Sequence, residues 1–423
     1  MSTIHNLQAI EILDSRGRPT LEVTCELAGG ARASAQVPSG ASTGQAEAME
    51  LRDGDPGRHS GMGCRKAVLS VSVPIANALR GQTAKQSDVD NTLIALDGTA
   101  NKARLGANAI LGVSIAVARA SALQRGVPFY RYLAEMIGHS PKSLPRMTIN
   151  LFSGGKHAGG QVPVQDVLLV PASATTIDQG LTMVCAVYKA AAAAMMDNHS
   201  ARLLTADEGG LAPPFADVEA MLDDTVAAIA AAGLRPGDDM SIAMDIAASH
   251  FYDDGRYLIG TEKCTAPEMI ERIERWVRDY PIVSVEDPLA ENDWKHWPAM
   301  RAALGDLAIT VGDDLLCTNP ARIQRAIDTN SCNALLLKVN QIGTLTEAAE
   351  SLRLARTAQW SVTISARSGE TEDNWLADLA VGWGADQIKV GSVTQSERLA
   401  KYNRLMTIEE ESRLPVVNWP QSR

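Results

Sequence analysis

The chain has 423 residues, 45% hydrophobic and 21% charged, the make-up of an ordinary globular protein with room for two domains. Its formal net charge of −11 argues against a sequence-independent nucleic-acid surface, which needs clustered lysine and arginine. No apolar run approaches the roughly 20 residues that span a bilayer, and MSTIHNLQAIEILDSRG has neither the basic nor the apolar region of a signal peptide. In chain order, IHNLQAIEILDSRGRPTLEVTCELAGGARASAQV reads as three antiparallel strands, with turn chemistry at Ser15-Arg16-Gly17 and Gly29-Gly30. A Gly/Ser-rich loop, PSGASTGQAE, precedes helical stretches. Of these, NKARLGANAILGVSIAVARASALQRG carries apolar residues at helical spacing and stops at Gly126. Pro141 and Pro145 mark a linker, which divides the chain into 1–140 and 141–423. From Met147 to near Asn403, short β-branched runs alternate with helical segments, as in a β/α barrel of about 250 residues or more. The Ala-rich stretch at Ala190–Ala194 reads as a packed helix without a function.

Charges close several of these runs. Asp245 ends SIAMD, Glu286 ends PIVSVE and Asp313 ends AITVGD; Lys338 then ends NALLLK, and Lys389 ends DQIK. A lone buried carboxylate is costly, and a single strand-end acid is usually a solvated cap or half of an ion pair. Three in succession, followed by a lysine, match the rim of a parallel β/α barrel, where strand ends converge on one pocket. Three carboxylates there suit a hard divalent cation, and a lysine among them suits a base. The six cysteines, Cys25, Cys64, Cys185, Cys264, Cys317 and Cys332, form no CxxC pair, which fits free thiols in a reducing cytoplasm better than disulfides or zinc.

The motifs PSGASTG, HAGG, DEGG, VEDPLAENDW, GDDLLCTNP, LLLKVNQIGTLTEA, ARSGETED, IKVG and SERLAKYN resemble the enolase family, in the family's order and over nearly the whole length. DSRGRPT and LDGTANKARLGANAILGVS add to the likeness. The resemblance implies an α/β fold: an N-terminal α+β capping domain on an atypical eight-stranded (β/α)8 TIM-like barrel. It implies two Mg2+ per site and a hydro-lyase that turns 2-phosphoglycerate into phosphoenolpyruvate. Taking a proton beside a carboxylate gives a dianionic ene-diolate; a Lys or His base with one or two Mg2+ is the general answer in this superfamily. By resemblance, Asp245, Glu286 and Asp313 hold the first metal and Ser39 completes the second. Lys338 is the base, Lys389 pairs with the substrate carboxylate, and Glu208 protonates the departing hydroxyl. Gln165 lines the carboxylate side, Arg367 and Ser368 grip the phosphate, and His157 reaches the phosphate region. An ordinary lysine with a pKa of about 10.4 is protonated, so Mg2+ and Lys389 are expected to lower that of Lys338. Taken singly, PSGASTG is a commonplace loop, His157 a structural histidine and Arg367 a salt-bridge partner.

Five departures from the family cluster around this chemistry. The histidine before Arg-Ser-Gly-Glu is Ala366, the glutamate after the family glutamine is the shorter Asp166, and GDEGG begins with Ala206. NGGSH has become Ser153-Gly154-Gly155-Lys156-His157, and the C-terminus is shortened. With volume opened and Lys156 added beside the phosphoryl end, the expected substrate is a bulkier carboxyphosphono-glycerate, giving carboxyphosphonoenolpyruvate in phosphonate or phosphinate biosynthesis. Ordinary enolase is the alternative, and a non-catalytic scaffold is the alternative from another class. The resemblance also implies a homodimer, although the arginine that would meet Glu22 is Thr407.

Overall fold

The computed structural model describes residues 2–40, 43–199 and 204–420; Ala41 and Ser42 of PSGASTG lie outside them. Ile4–Leu13 (β1), Pro19–Leu27 (β2) and Arg32–Gln36 (β3) form the expected antiparallel sheet. Gly17 and Gly30 close its turns at φ of 69° and 86°, a region that strains other residues. β2 alternates along its length, burying Leu21, Val23, Cys25 and Leu27. Their face packs on the helix Ala107–Gln124, which is long and apolar enough by length and composition to cross a membrane. Here it is buried, because a helix that is apolar all round needs cover all round. β2 and β3 cover one side, and Gln86–Asp97, Phe129–Met136 and Leu345–Thr357 pack on others.

After the Pro141–Pro145 segment, eight strands close a barrel. These are Arg146–Ser153 (β4), Asp166–Val170 (β5) and Ser241–Asp245 (β6), then, beyond a small three-stranded sheet of Tyr252–Asp253 (β7), Arg256–Ile259 (β8) and Glu262–Cys264 (β9), the strands Ile282–Glu286 (β10), Ile309–Gly312 (β11), Ala334–Leu337 (β12), Ser361–Ser365 (β13) and Gln387–Gly391 (β14). β5 runs antiparallel to both neighbours, while all other barrel pairs are parallel. This reversal positions the site. A reversed strand brings its first residue to the rim where its neighbours end, so Asp166 pairs with Ser153 on one side and Asp245 on the other. Asp245 in turn pairs with Glu286. Small apolar clusters, Leu168–Val170–Ala243 and Val311–Ala334–Leu336, stand apart from the main core and fill lower levels of the lumen. Ala190–Ala194 lie in the helix Ile177–His199, as expected.

Candidate active site

The strand-end charges meet, but as ion pairs. Lys389 extends from β14, on the wall opposite β10, and its Nζ donates to Asp245 Oδ2 and Glu286 Oε2, both at 2.7 Å. Burial alone would lower the lysine pKa; Asp245 and Glu286 outweigh it and hold the ammonium well above its ordinary value. The two acids divide accordingly. Burial raises Asp245, but Lys389 overcomes this and keeps it a carboxylate below its usual range. Glu286 is driven well up by burial and by the charge of Asp245.

Lys338, one residue past β12, donates from Nζ to Asp313 Oδ2 at 2.5 Å. Asp313 Oδ1 accepts from Gln341 Nε2 at 2.8 Å, and Thr318 Oγ1 fixes that amide by donating to Gln341 Oε1 at 2.7 Å. Of the two groups expected to lower the Lys338 pKa, Lys389 does push it down, but Asp313 acts against it. Burial, Arg367 and Lys389 push it down, yet Asp313 carries it above its ordinary value.

Across the same mouth lies an acid–imidazole group. Asp166 receives Ser153 Oγ on Oδ1 at 2.5 Å and faces His157 Nδ1 through Oδ2 at 2.9 Å. His157 Nε2 is 3.9 Å from Glu208 Oε1, and Asn150 Nδ2 donates to Glu208 Oε2 at 3.0 Å. Burial opposes a charged imidazole, but Asp166 and Glu208 raise His157 to about 9. Glu208 is lowered despite its burial, by His157 first and by Lys389 and Lys338 among others. Asp166 is itself raised, because burial outweighs the opposing charge of His157. Both oxygens of Asp166 are engaged. Ala366, where the family carries histidine, is buried and donates its N–H to the Lys389 carbonyl.

A third cluster joins the capping domain to the barrel. Asp14 Oδ1 accepts from the N–H groups of Arg16 and Arg18, shaping the DSRGRPT turn. Arg16 then donates to Ser368 Oγ at 3.1 Å and to the Ser39 carbonyl at 3.0 Å. Ser39 and Gly369 exchange backbone hydrogen bonds. The Ser39 hydroxyl is turned to Glu50 and Arg52, at 3.0 and 2.7 Å, rather than toward the carboxylates of the barrel mouth. Arg367 forms a two-pronged pair with Glu47, and Lys156 is exposed. Sequence reasoning assigned no role to Glu47, Asp287 and Gln341, which lie inside quoted motifs, or to Asn150, which precedes Ser153-Gly154-Gly155-Lys156-His157. It also missed His250, which burial and Lys156 lower to about 4.

The donors fit magnesium in type. Glu286 Oε1, Gln165 Oε1 and Asn150 Oδ1 are buried oxygens with no hydrogen-bond partner among the described residues, and Gln165 Nε2 is held by Asp245 at 3.1 Å. Oxygen acceptors without donors suit a hard cation. The expected trio of Asp245, Glu286 and Asp313 is not itself a tight group, however. Among the described residues, ligand atoms gather within 4.8 Å in two sets, His157–Asp166–Glu208 and Asp287–Asp313–Asp314. Lys389 bridges Asp245 and Glu286, while Asp313 pairs with Lys338.

The site is thus a closed barrel with one reversed strand, a capping sheet joined to its mouth, and lysines among carboxylates at that mouth, the architecture of a β/α-barrel enzyme. The family models "Enolase, N-terminal domain" and "Enolase, C-terminal TIM barrel domain" match residues 4–133 and 141–415. The chain is 48% identical over 412 residues to "Enolase 1" of Methylococcus capsulatus, covering 96% of this chain and 97% of that protein. It is 48% identical over 412 residues to "Enolase" of Acidothermus cellulolyticus, covering 97% of this chain and 95% of that protein. The chain belongs to the enolase family and is a hydro-lyase, for which family membership implies magnesium binding. The scaffold alternative falls with this. The carboxyphosphono substrate finds no support among the relatives, which carry the plain name.

Proposed function

We propose that the protein reversibly removes water from 2-phosphoglycerate to give phosphoenolpyruvate. The observation that carries this reading is one barrel mouth holding two ammonium groups, half-buried Lys338 and buried Lys389, within electrostatic reach of the Glu208–His157 pair. Asp245, Glu286 and Asp313, with Ser39 once its hydroxyl leaves Arg52, would hold two magnesium ions, which supply charge neutralisation for the substrate carboxylate. Lys338 takes the C2 proton as a neutral amine, a state that burial, Arg367 and Lys389 favour once Asp313 and Glu286 no longer act on it as counter-charges. Lys389 turns from the carboxylates of β6 and β10 to the carboxylate of the substrate, beside Gln165. On the other face, the proton held by His157 passes through Glu208 to the departing hydroxyl, with Asp166 keeping the ring in place. Arg367 and Ser368 take the phosphate, and exposed Lys156 adds positive charge outside it.

Substrates offered side by side test the reading: 2-phosphoglycerate and its carboxyphosphono analogue, each with Mg2+, followed by enol absorbance and phosphorus NMR. Turnover of the analogue alone would refute it.

We also place the domain boundary at 140/141, in a segment without helix or strand between Met136 and Arg146. We assign a homodimer and a cytoplasmic location. The free thiols, five of them buried, favour a reducing compartment. Thr407 is exposed and Glu22 is engaged by Gln36, so a missing surface ion pair contributing about 0–1 kcal/mol leaves a dimer intact. A monomer mass by light scattering at micromolar concentration would overturn it.

A further inference from the structure

We propose that Glu47 is a positioning residue, which presents the Arg367 guanidinium to the substrate's anionic group and ties it to the seating of the loop that carries Ser39. The proposal rests on the phosphoglycerate reading above. Glu47 Oε2 accepts from Arg367 Nη1 at 3.0 Å and Oε1 from Nη2 at 3.1 Å, an end-on fork. Both side chains are almost wholly buried, at 3% and 8% exposure. The carboxylate has other anchors: Gly44 N–H at 3.1 Å within its own loop, and Gln341 Nε2 at 3.4 Å. Gln341 also donates to Asp313, the partner of Lys338, so the loop, the anion-facing arginine and the lysine–carboxylate pair share one network. From the other side, Gly40 crowds the guanidinium: a Cβ there would lie 1.9 Å from Arg367 Nη2.

A competing view makes Glu47 a stand-in for the substrate anion that must be displaced before binding. Two features favour positioning. Leaving Arg367 would also break the Gly44 and Gln341 contacts, which a mere occupant of the anion site would not need. A guanidinium presents donors along three edges, and Glu47 engages the Nη1–Nη2 edge, so one arginine can hold a carboxylate and an anion together.

The test uses the full chain with Mg2+ and the variants Glu47→Gln, which keeps length and loses charge, and Glu47→Asp, which keeps charge at shorter reach. For Glu47→Gln, KM for 2-phosphoglycerate is expected to rise about tenfold and the inhibition constant of inorganic phosphate to rise in parallel. kcat stays within about twofold, and Glu47→Asp recovers part of the affinity. A purely structural role would lower the amount of active enzyme and the melting temperature without this split. An unchanged or lower KM, with phosphate inhibition unchanged or tighter, overturns the proposal. If the wild type binds inorganic phosphate but does not turn over 2-phosphoglycerate, the function proposed above falls, and the phosphate titration of wild type against Glu47→Gln still decides the role of Glu47.

Discussion

Arg398 is the most informative residue to remove outside the reacting groups. It lies on the helix Ser396–Ser412, is fully buried, and directs its guanidinium mainly at backbone. Nη1 donates to the carbonyls of Arg367 at 2.6 Å and Val390 at 2.9 Å, and Nη2 to that of Ser368 at 2.6 Å. One cation thus pins the dipeptide expected to grip phosphate and the end of β14, just past Lys389. Arg398→Met keeps the apolar stem and removes every donor. Each of the stranded carbonyls loses about 1–3 kcal/mol if nothing replaces the bond. The variant no longer buries a charge, however, which offsets part of that total of about 3–9 kcal/mol, so a net destabilisation of about 3–5 kcal/mol is expected, as for removal of one partner from a buried charged contact. At about 2 °C per kcal/mol, the low end of the scale because the chain is large, the melting temperature falls by about 6–10 °C. Calorimetry measures that shift, and steady-state kinetics should show a higher KM because the Arg367–Ser368 backbone is released. A variant that melts within about 2 °C of the wild type with the same KM would refute the reasoning, since it would mean the carbonyls find other partners at no loss.

Lys338→Ala is expected to leave the fold intact and slow turnover by about 10²–10⁴-fold; proton NMR in D2O should then show no exchange of the C2 hydrogen, and exchange at the wild-type rate would remove Lys338 from its role. Chelation by EDTA should abolish turnover and added Mg2+ restore it, while Mg2+ at 100 times its Kd should stabilise the protein by about 2.7 kcal/mol, read as a rise in melting temperature. Absence of any Mg2+-dependent shift would count against Asp245, Glu286 and Asp313 as ligands. Gly40→Ala would place its Cβ 1.9 Å from Arg367 Nη2, so KM should rise several-fold with the melting temperature nearly constant; an unchanged KM would mean the guanidinium has no fixed seat there.

Which charges stand at the barrel mouth was legible in the sequence, whereas which charge neutralises which was not. A parallel strand delivers its last residue to the rim by chain direction alone, so Asp245 and Glu286, with Asp313 and Lys338 one step beyond their strands, could be placed from local pattern. The pairing of Lys389 with Asp245 and Glu286 spans 144 and 103 residues and crosses the lumen from the opposite wall, a relation that no local period encodes. The antiparallel direction of β5 is equally silent, because its five residues are all buried and a continuously buried run reads the same in either direction. Asp166 is therefore placed only by resemblance, and its contacts with Ser153 and His157 are not encoded in any local period. The same reason accounts for Ser39 and Glu47. Both were locally legible only as part of a small-residue loop and its flank, but folding brings Arg52 to one and Arg367 to the other. In a desolvated site each buried cation needs a carboxylate within reach, so the fold satisfies those charges internally until a substrate and its metals offer better partners. The bland reading of Arg367 as a salt-bridge partner and the functional reading of it as an anion grip are then two states of one residue, and the distinction lies in what occupies the mouth.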